Sequence, residues 1–218
     1  GPGDEVLIPN RTFIATAHAA LLAGASVRLV DTHENDTIID EKQLEARITK
    51  RTKAIMPVHL NGRSADMATI NKIAKKHGVK VVEDAAQAFH SRSEDGFLGT
   101  LGDIGCFSMG VTKIITTGQG GFLVTKNPEL HKRLVLLKNQ GVDSTFDATS
   151  YQSFGFNLRF NDVLASIGLV QLSRIEEKKH NHKAIYEYFK RELANLGYMP
   201  GKLGYGVRRP KVSAWAAQ

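Results

Sequence analysis

The chain has 218 residues, 42% hydrophobic and 23% charged, with a formal net charge of +7. This composition excludes a disordered or collagen-like chain; the lone Cys106 excludes an internal disulfide and suits a reducing, cytoplasmic setting. No apolar run reaches the roughly 18 residues of a membrane span, and the basic pairs Lys75-Lys76 and Lys178-Lys179 lie in amphipathic patterns, which favours solvated helix faces over a nucleic-acid groove.

Glu5 to Pro9 reads as a short strand, and residues 12–23 as a helix opened by Thr12 and closed by Gly24. Val27 to Asp31 is the next strand. Asp40 is placed to cap a helix over 41–48, with Leu44 and Ile48 on one face. Ala54 to Val58 reads as a strand. A helix over 65–77 puts Met67, Ile70, Ile73, Ala74 and His77 on one stripe, and Gly78 is placed to end it in the left-handed conformation. Val79 to Val82 is a strand running into Glu83-Asp84. Cys106 to Ser108 and Phe122 to Val124 read as two more strands.

Asn127-Pro128 opens a helix marked by Leu130, Leu134 and Leu137. The rest is mostly helical. Leu164, Ile167, Gly168, Leu172 and Ile175 share one face; Ile185, Phe189, Leu193 and Leu196 share another. The chain opens on Gly1 and runs out in an Ala-rich end after Trp215, so it reads as cut at both ends.

Strands separated by helices of this length imply parallel pairing, since a parallel crossover needs a dozen or more residues. The expected class is α/β, a three-layer αβα arrangement around a mostly parallel mixed sheet, followed by a helical extension. The boundary is expected near residue 142, giving units 1–142 and 143–218.

Open α/β sheets bind ligands at the carboxyl ends of their strands. That nominates Asp31, Pro57 to His59, Glu83 to Gln87 and Ser108 to Lys113. A carboxylate just past a buried strand, as at Asp84, needs a cationic or hydrogen-bonding partner, or it caps the next turn. Lys113 follows a strand in a glycine-flanked loop. Glycine allows close backbone approach, and a buried lysine amine can form a Schiff base with a carbonyl. An exposed lysine in a flexible loop is the plainer alternative. Ser108 can offer a hydroxyl to a phosphate. No Gly-x-x-x-x-Gly-Lys-Ser/Thr is present, which excludes a nucleotide P-loop. His59 and His90 lie near strand ends without metal-ligand spacing and read as structural.

Several segments occur in an order that resembles one family. They are Gly3-Asp4-Glu5-Val6 with Pro9 to Thr16, Thr52 to Ile55, Pro57-Val58-His59, Ala65-Asp66-Met67, Val82 to Gln87, Ser108 to Lys113, and Gly155 to Arg159 with Gln171-Leu172. Together they are similar to the DegT/DnrJ/EryC1/StrS sugar aminotransferases. The resemblance implies a pyridoxal 5′-phosphate enzyme of the aspartate-aminotransferase fold type that aminates a nucleotide-linked keto-sugar, with glutamate as donor. Carried over by position, Lys113 holds the cofactor and shuttles the proton, and Asp84 pairs with the pyridine nitrogen, keeping the ring an electron acceptor. Phe13 stacks on the ring, Gln87 lies near the phenolic oxygen, and Ser108 helps bind the phosphate.

Asn157 and Arg159 match residues that reach the phosphate of the neighbouring subunit, which implies a homodimer with shared active sites. On residue types alone, Phe13 also suits a helix core position and Asn157 a cap for the helix near Asn161. Arg11 and Gln119 depart from the common pattern, and family members carry further segments on both sides. Relatives that eliminate rather than transaminate replace the lysine by histidine, so Lys113 speaks against that reaction. The remaining rival is a piece that folds or dimerises and catalyses nothing.

Overall fold

The computed structural model describes residues 1–34, 36–143 and 150–197. Eight strands and six α-helices lie among them: β1 (Glu5–Pro9), α1 (Ala15–Leu22), β2 (Ser26–Val30), α2 (Glu41–Arg47), β3 (Thr52–Ile55), α3 (Met67–His77), β4 (Lys80–Asp84), β5 (Arg92–Ser93), β6 (Gly96–Phe97), β7 (Ile104–Ser108), β8 (Gly121–Val124), α4 (Pro128–Lys138), α5 (Asp162–Ser173) and α6 (Ile175–Asn195). Six strands form one sheet in the order β2-β1-β3-β4-β7-β8. The first five pair in parallel, and β8 closes the edge antiparallel to β7. The expected α/β class with a mostly parallel mixed sheet is therefore what the chain adopts.

Strand alternation explains how helices cover both faces. Leu7 points to one side and meets Val30, Ile55 and Val81, over which α2 and α3 lay Leu44, Met67, Ile70 and Ala74. Val6 and Ile8 point to the other side, against Ala20 of α1 and Ala25. The caps follow their residue types. Asp40 accepts the Lys42 N–H at 3.0 Å, and Asn127 accepts from Glu129 and Leu130 at 2.9 and 3.1 Å. Gly78 takes φ +66° after α3, which only glycine adopts at little cost.

Two sequence expectations are corrected. The first helix starts at Ala15, not at 12, because the Thr12 hydroxyl bonds Thr16 Oγ1 at 2.7 Å instead of capping; Ile14 stands at the cap with no side-chain bond. Ile175 does not continue the α5 face: the helix ends at Ser173, Arg174 breaks the run, and Ile175 opens α6 and packs on Ile114 and Ile115. Ile185 and Phe189 share a face of α6, as expected, and that face is exposed. The short β5–β6 hairpin had no sequence counterpart. Of the expected second unit, 144–149 and 198–218 lie outside the described residues.

Candidate active site

Asp84 closes β4 with its main chain held on both sides. Its N–H donates to the Pro57 carbonyl at 2.9 Å, and its own carbonyl accepts the His59 N–H at 3.0 Å. On the other flank Asp84 sits opposite Cys106 of β7, and the Ala85 N–H donates to the Cys106 carbonyl at 2.9 Å. The side chain is half-buried and organised. Oδ2 accepts the Thr16 hydroxyl at 2.7 Å, and Oδ1 accepts the Ala86 N–H at 3.1 Å. So Asp84 does hold the next turn, as a cap would, yet one oxygen is also reached from a helix two strands away.

Glu83, one residue earlier, points to the opposite side of the sheet and is fully buried. Its Oε1 accepts N–H groups of Leu101 and Gly102 at 2.6 and 2.5 Å; its Oε2 accepts Gly99 N–H at 2.7 Å and lies 2.8 Å from His59 Nε2. Ala65 N–H donates to His59 Nδ1 at 3.2 Å, which places the ring proton on Nε2, facing the carboxylate. Burial pushes the Glu83 carboxyl up, but the His59 ring and the Gly102 and Gly99 N–H groups outweigh it and hold the carboxyl below its ordinary value. His59 is thus structural, as its spacing suggested. Cys106, between these carboxylates, has its thiol pushed up to about 11 by burial and by the Asp84 and Glu83 charges, so it is a poor nucleophile.

Ser108 ends β7, two residues past Cys106, at the same carboxyl edge as Asp84. Its hydroxyl accepts the Gly110 N–H at 3.2 Å. The loop that follows folds back on itself: Met109 N–H reaches Gly120, and Thr117 N–H reaches Met109, at 2.9 and 3.0 Å. Buried Ile114 and Ile115 pin it against Phe89 and Ile175, and Lys178 Nζ donates to the Ile114 carbonyl at 2.9 Å. The loop is thus anchored, not slack. Lys113, just before the buried pair, is half-buried, and no hydrogen bond or ion pair to its amine occurs among the described residues. A half-covered amine without a partner has its donors free for a ligand.

Gln87 is half-buried, and its Oε1 accepts the Asn61 N–H at 2.8 Å. That bond orients the amide so that Nε2 remains free to donate. Phe13 lies in the turn before α1, not on the helix, and is 71% exposed. Asn157 and Arg159 are exposed and joined to each other, Arg159 Nε donating to Asn157 Oδ1 at 2.9 Å. Asn157 does not cap the next helix: Asn161 does, accepting from Leu164 N–H at 2.9 Å. So Asp84 and Ser108 end the paired strands β4 and β7, Gln87 and Lys113 lie in the stretches that follow them, Thr16 links the Phe13 turn to Asp84, and Asn157 and Arg159 bond to each other.

Thr16 was not foreseen; its only signal is a hydroxyl at an otherwise apolar position of α1. His90, at φ +65°, packs edge-on against Phe97 with ring centroids 5.3 Å apart. His33, Asp40 and Glu41 bring ligand-type atoms within 4.8 Å of one another at the start of α2, where Asp40 serves as the cap.

The donor set suits pyridoxal phosphate. A carboxylate held from behind matches a ring N–H, an unpaired amine matches an aldehyde, a free amide donor matches a phenolate, and a strand-end hydroxyl matches a phosphate.

Comparison with known proteins identifies the family. Residues 1–214 match the model of the DegT/DnrJ/EryC1/StrS aminotransferase family, and the chain belongs to that family. It is 41% identical over 197 residues to the GDP-perosamine synthase of Caulobacter vibrioides, covering 90% of this chain and 53% of that protein. It is 44% identical over 168 residues to the UDP-N-acetyl-3-dehydro-alpha-D-glucosamine 3-aminotransferase of Acidithiobacillus ferrooxidans, covering 77% and 45%. Among solved structures, S. venezuelae DesV in complex with a ketimine intermediate superposes with a TM-score of 0.86 at 32% identity, covering 99% of this chain and 57% of that one. Spr1654 from Streptococcus pneumoniae, in its PLP form, gives 0.82 at 29% identity, covering 89% and 55%. The chain spans about half the length of the curated relatives it matches.

Proposed function

We propose that this chain carries the cofactor-binding half of a pyridoxal phosphate-dependent aminotransferase that moves an amino group, from glutamate as donor, onto a nucleotide-linked keto-sugar. The observation that carries the reading is one strand edge: an organised carboxylate at Asp84 beside an anchored loop that bears the unpaired amine of Lys113. The relatives named above support the substrate class, since their names specify GDP- and UDP-linked sugars.

When bound, pyridoxal phosphate supplies an electron sink for the carbanion formed as the donor loses its Cα proton. The residues do the rest. Asp84 would pair with the ring nitrogen and keep it protonated. Ser108 would hold the phosphate, Gln87 would donate from Nε2 to the phenolic oxygen, and Phe13 would cover the ring face. Lys113 Nζ would tether the cofactor at rest. Once freed, it would carry the proton from the donor's Cα to the cofactor in the first half-reaction and from the cofactor to the sugar carbon in the second. Asn157 and Arg159, exposed on their own protomer, reach the phosphate of a second copy, so the working unit is a homodimer with shared sites. Among the described residues no helix is long and apolar enough to cross a membrane; with its single cysteine, the chain suits the cytoplasm.

The test is spectroscopic and then chemical. Added pyridoxal phosphate gives a visible band and a borohydride-trapped adduct on Lys113, and glutamate with a nucleotide-linked keto-sugar gives an amino-sugar. Lys113→Ala abolishes the adduct and lowers turnover by at least about 10³-fold. Turnover retained in that variant refutes the assignment. Binding without product on any keto-sugar favours a catalytically silent chain.

A further inference from the structure

The Thr16 hydroxyl reaches from α1 to the candidate site. Thr16 is buried, at 3% exposure, in the first turn of α1, and its Oγ1 lies 2.7 Å from Asp84 Oδ2. Strand order puts β3 between β1, which leads into α1, and β4, which ends at Asp84. The contact therefore spans the sheet's carboxyl edge. A hydroxyl has one proton. Since the carboxylate only accepts, Thr16 spends that proton on Asp84, and its oxygen accepts from Thr12 Oγ1, also 2.7 Å away. The direction is set: Thr12 O–H to Thr16, Thr16 O–H to Asp84.

Between these two hydroxyls lies Phe13. Its carbonyl accepts the Thr16 N–H at 3.1 Å, so the turn bearing Phe13 is tied to Thr16 by main chain and to Asp84 by side chain. With the Ala86 N–H on Oδ1 and the Thr16 hydroxyl on Oδ2, the carboxylate cannot rotate without breaking a bond. The remaining lone pairs are then aimed in one direction.

We infer that Thr16 is a positioning residue: it fixes the Asp84 carboxylate and sets the spacing between that carboxylate and the Phe13 ring, so that a flat heteroaromatic cofactor finds its nitrogen partner and its face partner already in place. Thr12 backs it as the outer donor. The inference rests on the pyridoxal phosphate reading of the site and adds a residue to it. Such preorganisation acts on binding, because the groups need not be ordered when the ligand arrives.

Three variants test it by spectroscopic titration with pyridoxal phosphate and by thermal midpoint of the unloaded protein. Thr16→Val keeps the volume and removes the hydroxyl; Thr16→Ser keeps the hydroxyl and removes a methyl. A positioning hydroxyl gives a Kd about tenfold weaker for Thr16→Val and within about twofold of the parent for Thr16→Ser. A packing role reverses that order, because serine loses contact and valine does not. Thr12→Val leaves the bond to Asp84 and removes only its support, giving about a threefold loss; it decides the matter if Thr16→Val does not fold. Parent-like binding by Thr16→Val, or by Thr12→Val in that case, overturns the inference, as does serine binding no better than valine. If the parent protein itself shows no band and no adduct on Lys113, the cofactor reading fails and the inference falls with it. If the parent loads and the variants load equally, only the inference fails.

Discussion

Glu83 shows what one buried charge can organise. It accepts four hydrogen bonds from three stretches of chain: the His59 loop, Gly99, and Leu101-Gly102. An uncompensated carboxylate there would be costly, so the fold is committed to supplying all four donors. Glu83→Gln keeps the shape but turns an NH2 group towards N–H donors, and His59 cannot answer by moving its proton, because Nδ1 is engaged by Ala65. We expect about 3 kcal/mol of lost stability, read from the denaturant midpoint. The sign of the pH effect follows from the depressed carboxyl. Its folded value lies below the ordinary 4.5, so the stabilisation is fully present above 4.5 and is lost as pH falls through the folded value. Glu83 should therefore make the parent lose stability progressively as pH falls below 4.5 and through the folded value, and Glu83→Gln should flatten that dependence. A variant with unchanged midpoint and unchanged acid profile would show that the network does not hold the loops.

Between elements, loop 97–102 comes very close to β7. A Cβ on Gly105 would come within 1.8 Å of the Gly99 carbonyl oxygen, and one on Gly99 within 2.3 Å of Phe107 Cζ. The loop is pressed there by the same Glu83 that binds Gly99 and Leu101. Gly105→Ala should cost about 3 kcal/mol or more, since backbone must move to admit the methyl. Gly78→Ala is the control: its φ is +66° with nothing within 4 Å, so it carries only the left-handed cost of about 1–2 kcal/mol. Equal losses in urea titrations of the two would mean that the loop yields freely. This contact also marks where sequence reading ran out. Caps, strand runs and the carboxyl-edge rule depend on neighbours in sequence; the caps Asp40, Gly78 and Asn127 were legible from them, as were the positions of Asp84 at the end of β4 and of Lys113 just after β7. The Thr16–Asp84 and Glu83–His59 bonds join residues 68 and 24 positions apart, with no local pattern to announce them. Thr12 misled for the same reason: a cap and a tether use the same hydroxyl, and the partner that decides between them belongs to the tertiary fold.

At the scale of the molecule, α5 is apolar on more than its packed side. Val163, Ile167 and Val170 recur at helical spacing and are 71%, 42% and 60% exposed, while Gly168 faces Thr117. An apolar stripe outside a lone chain marks an interaction surface. It adjoins the segment that carries Asn157 and Arg159, which among the described residues bond to each other and have no side-chain partner at the Asp84 edge. If those two residues complete the site of a second copy, the two halves of one active site come from different chains, and complementation can show it. Lys113→Ala and Arg159→Ala would each be inactive alone. Mixed in equal amounts and allowed to exchange subunits, half of the dimers would be hybrids. In each hybrid one site would carry both lesions and the other neither. Activity should then recover to about a quarter of the parent's, with sedimentation reporting a dimer throughout. Sites built within one chain would leave every site with one lesion, and no mixture would recover. A hydrodynamic monomer that turns over normally would remove the premise altogether, since Arg159 would then have no phosphate to reach.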